Sequence, residues 1–272
     1  MNPPIMSSPA VPAPVPEPAA DAATAPPAAV SLARTGSVLQ VRLDPSAQDD
    51  DVLSSAVLDE LIAVLDGLHD QPDIRILVLS SPGEDFCPGA DRREFQETPA
   101  TDPTGATLRR IADKAHRLCR ALENTHAVTI ARLHGKVIGA GLALAVHCDL
   151  RAGVDTCRFR MPEIGLGPAP ARGGAMGRPI TKAGAARVRE LLLTCDEFDA
   201  PTAQRLGLLH KVAPLDRLDD AVTAWTKPLA RRSPQALVLT RRMLAGHAKA
   251  ARTSDTALLD SHLLAAQLTQ PR

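Results

Sequence analysis

His134-Gly135-Lys136-Val137-Ile138-Gly139-Ala140-Gly141-Leu142-Ala143-Leu144-Ala145 is the stretch that decides the fold. On its N-terminal side Val128, Ile130 and Leu133 read as a buried strand that stops at His134-Gly135. On its C-terminal side residues 142–147 read as an apolar helix. A glycine-rich link between a buried strand and a helix is the joint of an α/β unit. Glycine lets the backbone pass close to a neighbour, and a helix start presents N–H groups that have no intrahelical partner. The stretch is not a phosphate-binding Walker loop, because Lys136 lacks the preceding glycine spacing and the following Ser or Thr. Taken alone, such a loop is more often a tight turn than a ligand site.

The alternation extends in both directions. Upstream, Val38, Leu39, Val41 and Leu43 make a short strand, followed by an acidic loop, Asp49-Asp50-Asp51. Val52, Leu53, Val57, Leu61, Val64, Leu65 and Leu68 then recur at helical spacing. Ile74, Ile76, Leu77, Val78 and Leu79 form a continuous apolar run ending at Ser81-Pro82-Gly83, which suits a strand buried on both faces. A helix is predicted over 107–123, and short strands over 150–153 and 156–160. From Thr181 onward the pattern is mainly helical, over 183–193, 201–206, 215–230, 234–247 and 255–268. This predicts an α/β core over 35–200 and a helical region over 201–272. Residues 1–34 are dominated by Pro and Ala and are predicted to be a disordered extension, since they cannot bury enough surface to offset their ordering entropy. They lack the basic start and apolar centre of a secretory signal.

Composition removes several classes of function. Among 272 residues, Lys+Arg (31) equals Asp+Glu (31), so the chain has no net positive charge to displace counterions from nucleic acid. Aromatic residues are 2% and Tyr is absent, which leaves little for base stacking. No apolar window approaches the roughly 18 residues of a membrane span. The five cysteines are scattered without a C-x-x-C pair and read as reduced thiols of a cytoplasmic protein. The eight histidines show no zinc-type spacing, so no metal site is expected.

Two further segments carry chemistry. Phe86-Cys87-Pro88-Gly89-Ala90-Asp91 again sets Gly and Pro between a buried strand and a helix. Facing the first loop, it would supply a second backbone donor to one developing oxyanion. Phe159-Arg160-Met161-Pro162-Glu163-Ile164-Gly165-Leu166-Gly167, followed by Pro168 and Gly173-Gly174, puts a lone carboxylate among apolar residues. Desolvation disfavours the charged form of a carboxylate, as a proton-transfer group requires; a salt-bridged glutamate before a turn is the plainer reading. No G-x-S-x-G elbow is present, and Cys148 has no evident activating base.

In this order and spacing the three segments resemble the crotonase superfamily (enoyl-CoA hydratase/isomerase). The resemblance runs over roughly residues 37–268 and includes Cys148-Asp149-Leu150-Arg151, Leu192-Leu193-Thr194, Ala200, Ala203, Gly207-Leu208 and Pro214. It implies an α/β fold built as a crotonase-like ββα spiral, with C-terminal helices that cover the site and support a homotrimer or a dimer of trimers. It implies an acyl-CoA or acyl-carrier thioester as substrate, with coenzyme A part of that substrate and no separate cofactor. The oxyanion donors would be the N–H groups of Ala90 and Ala140, with Gly89, Asp91, Gly139 and Gly141 around the substrate and Glu163 as the catalytic carboxylate.

The sequence departs from the family's hydratases at Ala143, where they carry a second glutamate. With Glu163 alone, the resemblance points to an enoyl-CoA isomerase. Hydratase-like or decarboxylase chemistry, or thioester binding without turnover, are the alternatives. His147, one turn beyond Ala143, is a candidate substitute acid, although a buried structural histidine is the plainer reading. Asp49, Asp50 and Asp51 stand where relatives often place small apolar or basic residues near the nucleotide, and Arg92 and Arg93 are candidates to compensate.

Overall fold

The computed structural model describes residues 29–43, 52–166, 183–250, 262 and 265–266. Its main sheet has six strands in the order β1-β2-β3-β4-β6-β9. These are β1 (Val30–Thr35), β2 (Val38–Leu43), β3 (Ile76–Ser80), β4 (Val128–Leu133), β6 (Leu150–Val154) and β9 (Lys211–Ala213). β1 and β2 form an antiparallel hairpin and every other pairing in this sheet is parallel. β3 is buried along its whole length, as its unbroken apolar run requires. A second sheet joins β5 (Lys136–Ile138), β7 (Arg158–Arg160) and β8 (Phe198–Asp199). An isolated bridge between Cys87 and Val137 prolongs it. The chain thus passes from a strand of the large sheet to the small sheet and then to a helix, turn after turn, which is a ββα spiral.

The helices, numbered in chain order, are α1 (Ser55–Gly67), α2 (Arg92–Thr101), α3 (Ala106–Asn124), α4 (Ala140–His147), α5 (Ala185–Thr194), α6 (Ala200–Arg205), α7 (Leu218–Leu229) and α8 (Pro234–Ala250). α1 starts where the Ser54 hydroxyl accepts from the Val57 N–H at 3.3 Å. Its buried face, Val57, Leu58, Leu61, Ile62 and Leu65, repeats at helical spacing, and α1 packs on α3. α4 is buried on nearly every side from Gly141 to His147, so it can serve as a fixed post for a site at its N-terminus. Among the described residues no helix is long and apolar enough to cross a membrane.

One expectation needs correction, and three short or charged elements were not foreseen. The extension does not run to residue 34: Val30–Thr35 forms β1, paired along its length with β2. The Ala29 and Val30 N–H groups also donate to the Glu60 carboxylate at 3.0 and 2.9 Å. Only the start of this edge strand is buried, so its stability comes from the ladder rather than from an apolar pattern. Residues 1–28 lie outside the described residues. The described residues after 181 are mainly helical, as expected, and β8 and β9 add two and three residues that are too short to show a period. α2 has no counterpart in the sequence reading, its charged start hiding any apolar stripe. The acidic run at 49–51, Pro168, Gly173-Gly174 and most of 255–268 also lie outside the described residues.

Candidate active site

The first loop leaves β3 and is laced to β5. The Phe86 N–H donates to the His134 carbonyl (2.9 Å), the Cys87 N–H to the Lys136 carbonyl (3.1 Å), and the Ile138 N–H to the Cys87 carbonyl (3.0 Å). At Gly89, with φ +136°, the chain swings towards α1. The Leu53 N–H donates to the Gly89 carbonyl (2.8 Å) and the Asp91 N–H to the Leu53 carbonyl (3.2 Å). These two bonds flank Ala90, so its own N–H points away from Leu53, as alternation along an extended backbone demands.

The second loop ends at Gly139, whose φ of 51° and ψ of −111° only glycine tolerates readily. The Gly139 N–H donates to the Arg160 carbonyl (3.0 Å), and its carbonyl accepts the first helical bond of α4 from the Ala143 N–H (2.9 Å). Ala140 is therefore the first residue of α4, and its N–H has no intrahelical partner. The two loops touch: a Cβ on Gly141 would lie 2.4 Å from the Cys87 carbonyl oxygen, and one on Gly89 would lie 3.8 Å from the Ile138 carbonyl oxygen.

Glu163 completes the cluster. It sits in the turn after β7, and its Oε1 is 3.1 Å from the point a Gly139 Cβ would occupy. Its Oε2 is shielded from solvent. The structure thus brings Glu163 to the residue that precedes the Ala140 N–H, at the positive end of α4. Gly89, Gly139 and Gly141 shape this junction. Asp91 does not face it in the same way: its carboxylate accepts from the Arg93 N–H (2.9 Å), Nε (3.1 Å) and Nη2 (3.2 Å), and so fixes the start of α2. Arg93 is thereby engaged beside Asp91.

On the α3 side of the two donors is a small apolar cavity of about 30 Å³. Ala90, Ala140, Ala143 and Leu144 line it together with Leu53 and Leu58, Phe95 of α2, and Ile111, Ala112, Ala115, Leu118 and Cys119 of α3. Sequence reasoning missed Phe95 and Cys119, and only the packing of α2 and α3 against α4 reveals them. Ala143 contributes a methyl group here, so α4 presents no acid to the cavity. His147 does not line it. Its Nδ1 is 2.7 Å from the Ala143 carbonyl oxygen and its Nε2 is 3.6 Å from Glu123 Oε1, both side chains being buried. A larger groove of about 710 Å³ is lined by alternate residues of β2 (Val38, Gln40, Arg42), by Ser80 and His134, and by α7. It shares no residue with the apolar cavity. Among the described residues no group of three or more His, Cys, Asp or Glu is placed to hold a metal ion.

Two backbone N–H groups, one carboxylate and an apolar recess can hold a thioester oxygen, accept a proton from the neighbouring carbon and house the rest of an acyl group. Similarity to known proteins places the chain in a family. The family model for enoyl-CoA hydratase/isomerase matches residues 33–269. A probable enoyl-CoA hydratase of Mycobacterium bovis is 32% identical over 185 residues, 68% of each chain. A peroxisomal Delta(3,5)-Delta(2,4)-dienoyl-CoA isomerase of Arabidopsis thaliana is 29% identical over 193 residues, 68% of this chain and 69% of that one. The crystal structure of an enoyl-CoA hydratase from Bacillus halodurans superposes with a TM-score of 0.81 at 20% identity, covering 89% of this chain and 96% of that one, a likeness of fold. The chain belongs to the enoyl-CoA hydratase/isomerase family, the crotonase superfamily.

Proposed function

We propose that the chain is an isomerase of 3-enoyl thioesters of coenzyme A, working with a single glutamate. The thioester oxygen accepts from the Ala90 and Ala140 N–H groups. Glu163 takes a proton from C2, and the electron pair moves onto the thioester oxygen as a dienolate. The same carboxyl group returns the proton at C4 while the double bond settles between C2 and C3. Atoms and charge balance, and no water enters.

The observation that carries this reading is the contrast across α4. Glu163 lies against Gly139 at one side of the donors, while position 143 offers only a methyl group to an apolar cavity. Water addition needs a second group to orient the water, and Ala143 cannot do so. The hydratase names among the relatives favour a second reading, a hydratase with one carboxylate. Parallel assays of 3-enoyl-CoA isomerisation and 2-enoyl-CoA hydration decide between them. Isomerisation is expected to dominate, and Glu163→Gln to lower it by about 10² or more. Dominant hydration, or an unchanged Glu163→Gln rate, overturns the proposal.

The same reading carries a homotrimer or a pair of trimers in the cytoplasm. α8 supports it by exposing Leu239, Met243 and Leu244, the first two one helical turn apart. Light scattering at micromolar concentration is expected to give a multiple of three chains; a monomer overturns it.

A further inference from the structure

We propose that the acyl part of the site is a short blind pocket, suited to a straight chain of about four carbons, with Cys119 and Leu144 as its floor and the buried Glu123–His147 pair as the seal beneath. The proposal rests on the reading of the chain as an enzyme of acyl thioesters, and it adds which acyl groups are accepted.

Depth in this site is measured along α4. The helix begins at the donor residue Ala140, passes Ala143 and Leu144 in the cavity wall, and ends at His147. α3 flanks it: Ala112 and Ala115 line the cavity, then Leu118 and Cys119, and one turn further on Glu123 meets His147 at 3.6 Å. The pair therefore stands one turn below the cavity on both helices, at the spacing of i and i+4. Glu123 and His147 are 7% and 2% exposed, and the His147 ring is tied through Nδ1 to the Ala143 carbonyl, part of the very turn that lines the cavity.

The space between donors and floor is about 30 Å³, enough for one or two water-sized groups. That suits the two or three carbons beyond a thioester carbonyl. A longer chain must first push through Leu118, Cys119 and Leu144, and then strip hydrogen-bonding groups that have no water to replace them. Among the described residues, the side chains lining the cavity are hydrocarbon apart from the Cys119 thiol. An acyl group ending in a hydroxyl or a carboxylate would be buried without a partner, and is rejected for that reason.

The test is calorimetric titration of the full chain with saturated acetyl-, butyryl-, hexanoyl- and octanoyl-CoA, which needs no turnover. Butyryl-CoA is expected to bind most tightly and octanoyl-CoA at least 10-fold more weakly. Cys119→Ala is expected to improve hexanoyl-CoA at least 5-fold while leaving octanoyl-CoA excluded, because the pair remains. Leu144→Ala opens the opposite wall and should act in the same direction. Affinity that rises with every methylene, by the roughly fourfold per group of an open apolar site, overturns the proposal. Octanoyl-CoA gaining in Cys119→Ala overturns the role of the Glu123–His147 pair. If the length preference holds but no 3-enoyl thioester is isomerised, the pocket stands and the isomerase reading falls. If none of the four thioesters binds, both fall.

Discussion

A methyl group on Gly141 would sit 2.4 Å from the carbonyl oxygen of Cys87 and 2.7 Å from its Cβ. Those distances are far inside van der Waals contact, so the two loops that carry the donors approach as closely as their backbones allow. Cys87 lies three residues before Ala90 and Gly141 one residue after Ala140, which makes this contact the ruler between the two N–H groups. Gly141 is required here by closeness rather than by an unusual dihedral angle.

Gly141→Ala is therefore expected to run against helix propensity. In an open helix the change stabilises by about 1 kcal/mol. Here it forces the Cys87 backbone away and is expected to destabilise by about 1–3 kcal/mol, as overpacking does. Turnover of a 3-enoyl thioester is expected to drop by more than the loss of folded protein explains. Urea unfolding alongside initial rates measures both; a stabilised, active variant contradicts the ruler.

Ala140→Pro tests the donor itself. Residue 140 is the first of α4, where proline is tolerated because the missing N–H has no helical role. On the proposed reading the substitution removes one of the two donors to the oxyanion, and its ring also takes space from the apolar cavity that Ala140 lines. A loss of about 10²–10³ in kcat is expected, with far-ultraviolet circular dichroism close to the parent. Retained activity would show that the thioester oxygen lies elsewhere.

The two glycine-punctuated loops were legible in the sequence, since each follows a buried apolar run and precedes a helix; Ala90 and Ala140 as donor positions within them came only from the family resemblance. The helix expected over 107–123 is found as Ala106–Asn124, and the strand expected over 74–79 as Ile76–Ser80. The helix shows its 3.6-residue period and the strand its unbroken apolar run. β1 was hidden because only its first residue is buried and its cohesion comes from the hairpin with β2. α2 was hidden by its charged start, and Phe95 with it. Asp91 illustrates a different limit: its carboxylate is spent on Arg93 two residues away, a local choice that composition does not reveal. The floor of the acyl pocket was equally invisible, because Cys119 and Leu144 meet only when α3 packs on α4.

Arg241 of α8 is a clasp between the C-terminal helices and the spiral. It is nearly buried, and its guanidinium donates to both Asp149 oxygens at 2.7 and 3.2 Å, to the Leu122 carbonyl at 3.1 Å and to the Thr125 carbonyl. Asp149 also accepts from the Thr129 N–H and hydroxyl. Arg241→Ala takes a charged donor from two carbonyls and leaves the Asp149 carboxylate with Thr129 but without its counter-charge, at an expected cost of about 3 kcal/mol. Arg241→Lys should recover only part of that, because an ammonium cannot span the fork. Urea midpoints of the two variants check the order; equal midpoints for all three proteins would show that α8 docks by other contacts.

Alkaline pH gives the last test. Cys157 is fully buried between β6 and β7, and burial pushes its thiol from an ordinary value near 9.0 up to about 12. In the unfolded chain the thiol loses its proton near pH 9, whereas in the folded chain it keeps it until about 12. The unfolded state is thus the one stabilised by deprotonation, so the contribution is whole below pH 9 and is lost as pH rises towards 12, at about 1.4 kcal/mol per pH unit. No tyrosine titrates in that window, because the chain has none. Lysines do, so the comparison is made against Cys157→Ala, where their contribution cancels. Between pH 8 and pH 10.5 the stability of the parent should fall by about 2 kcal/mol more than that of the variant, measured by urea unfolding. Parallel pH curves for the two proteins would mean that the folded thiol ionises as readily as the unfolded one, and that the turn between β6 and β7 admits water.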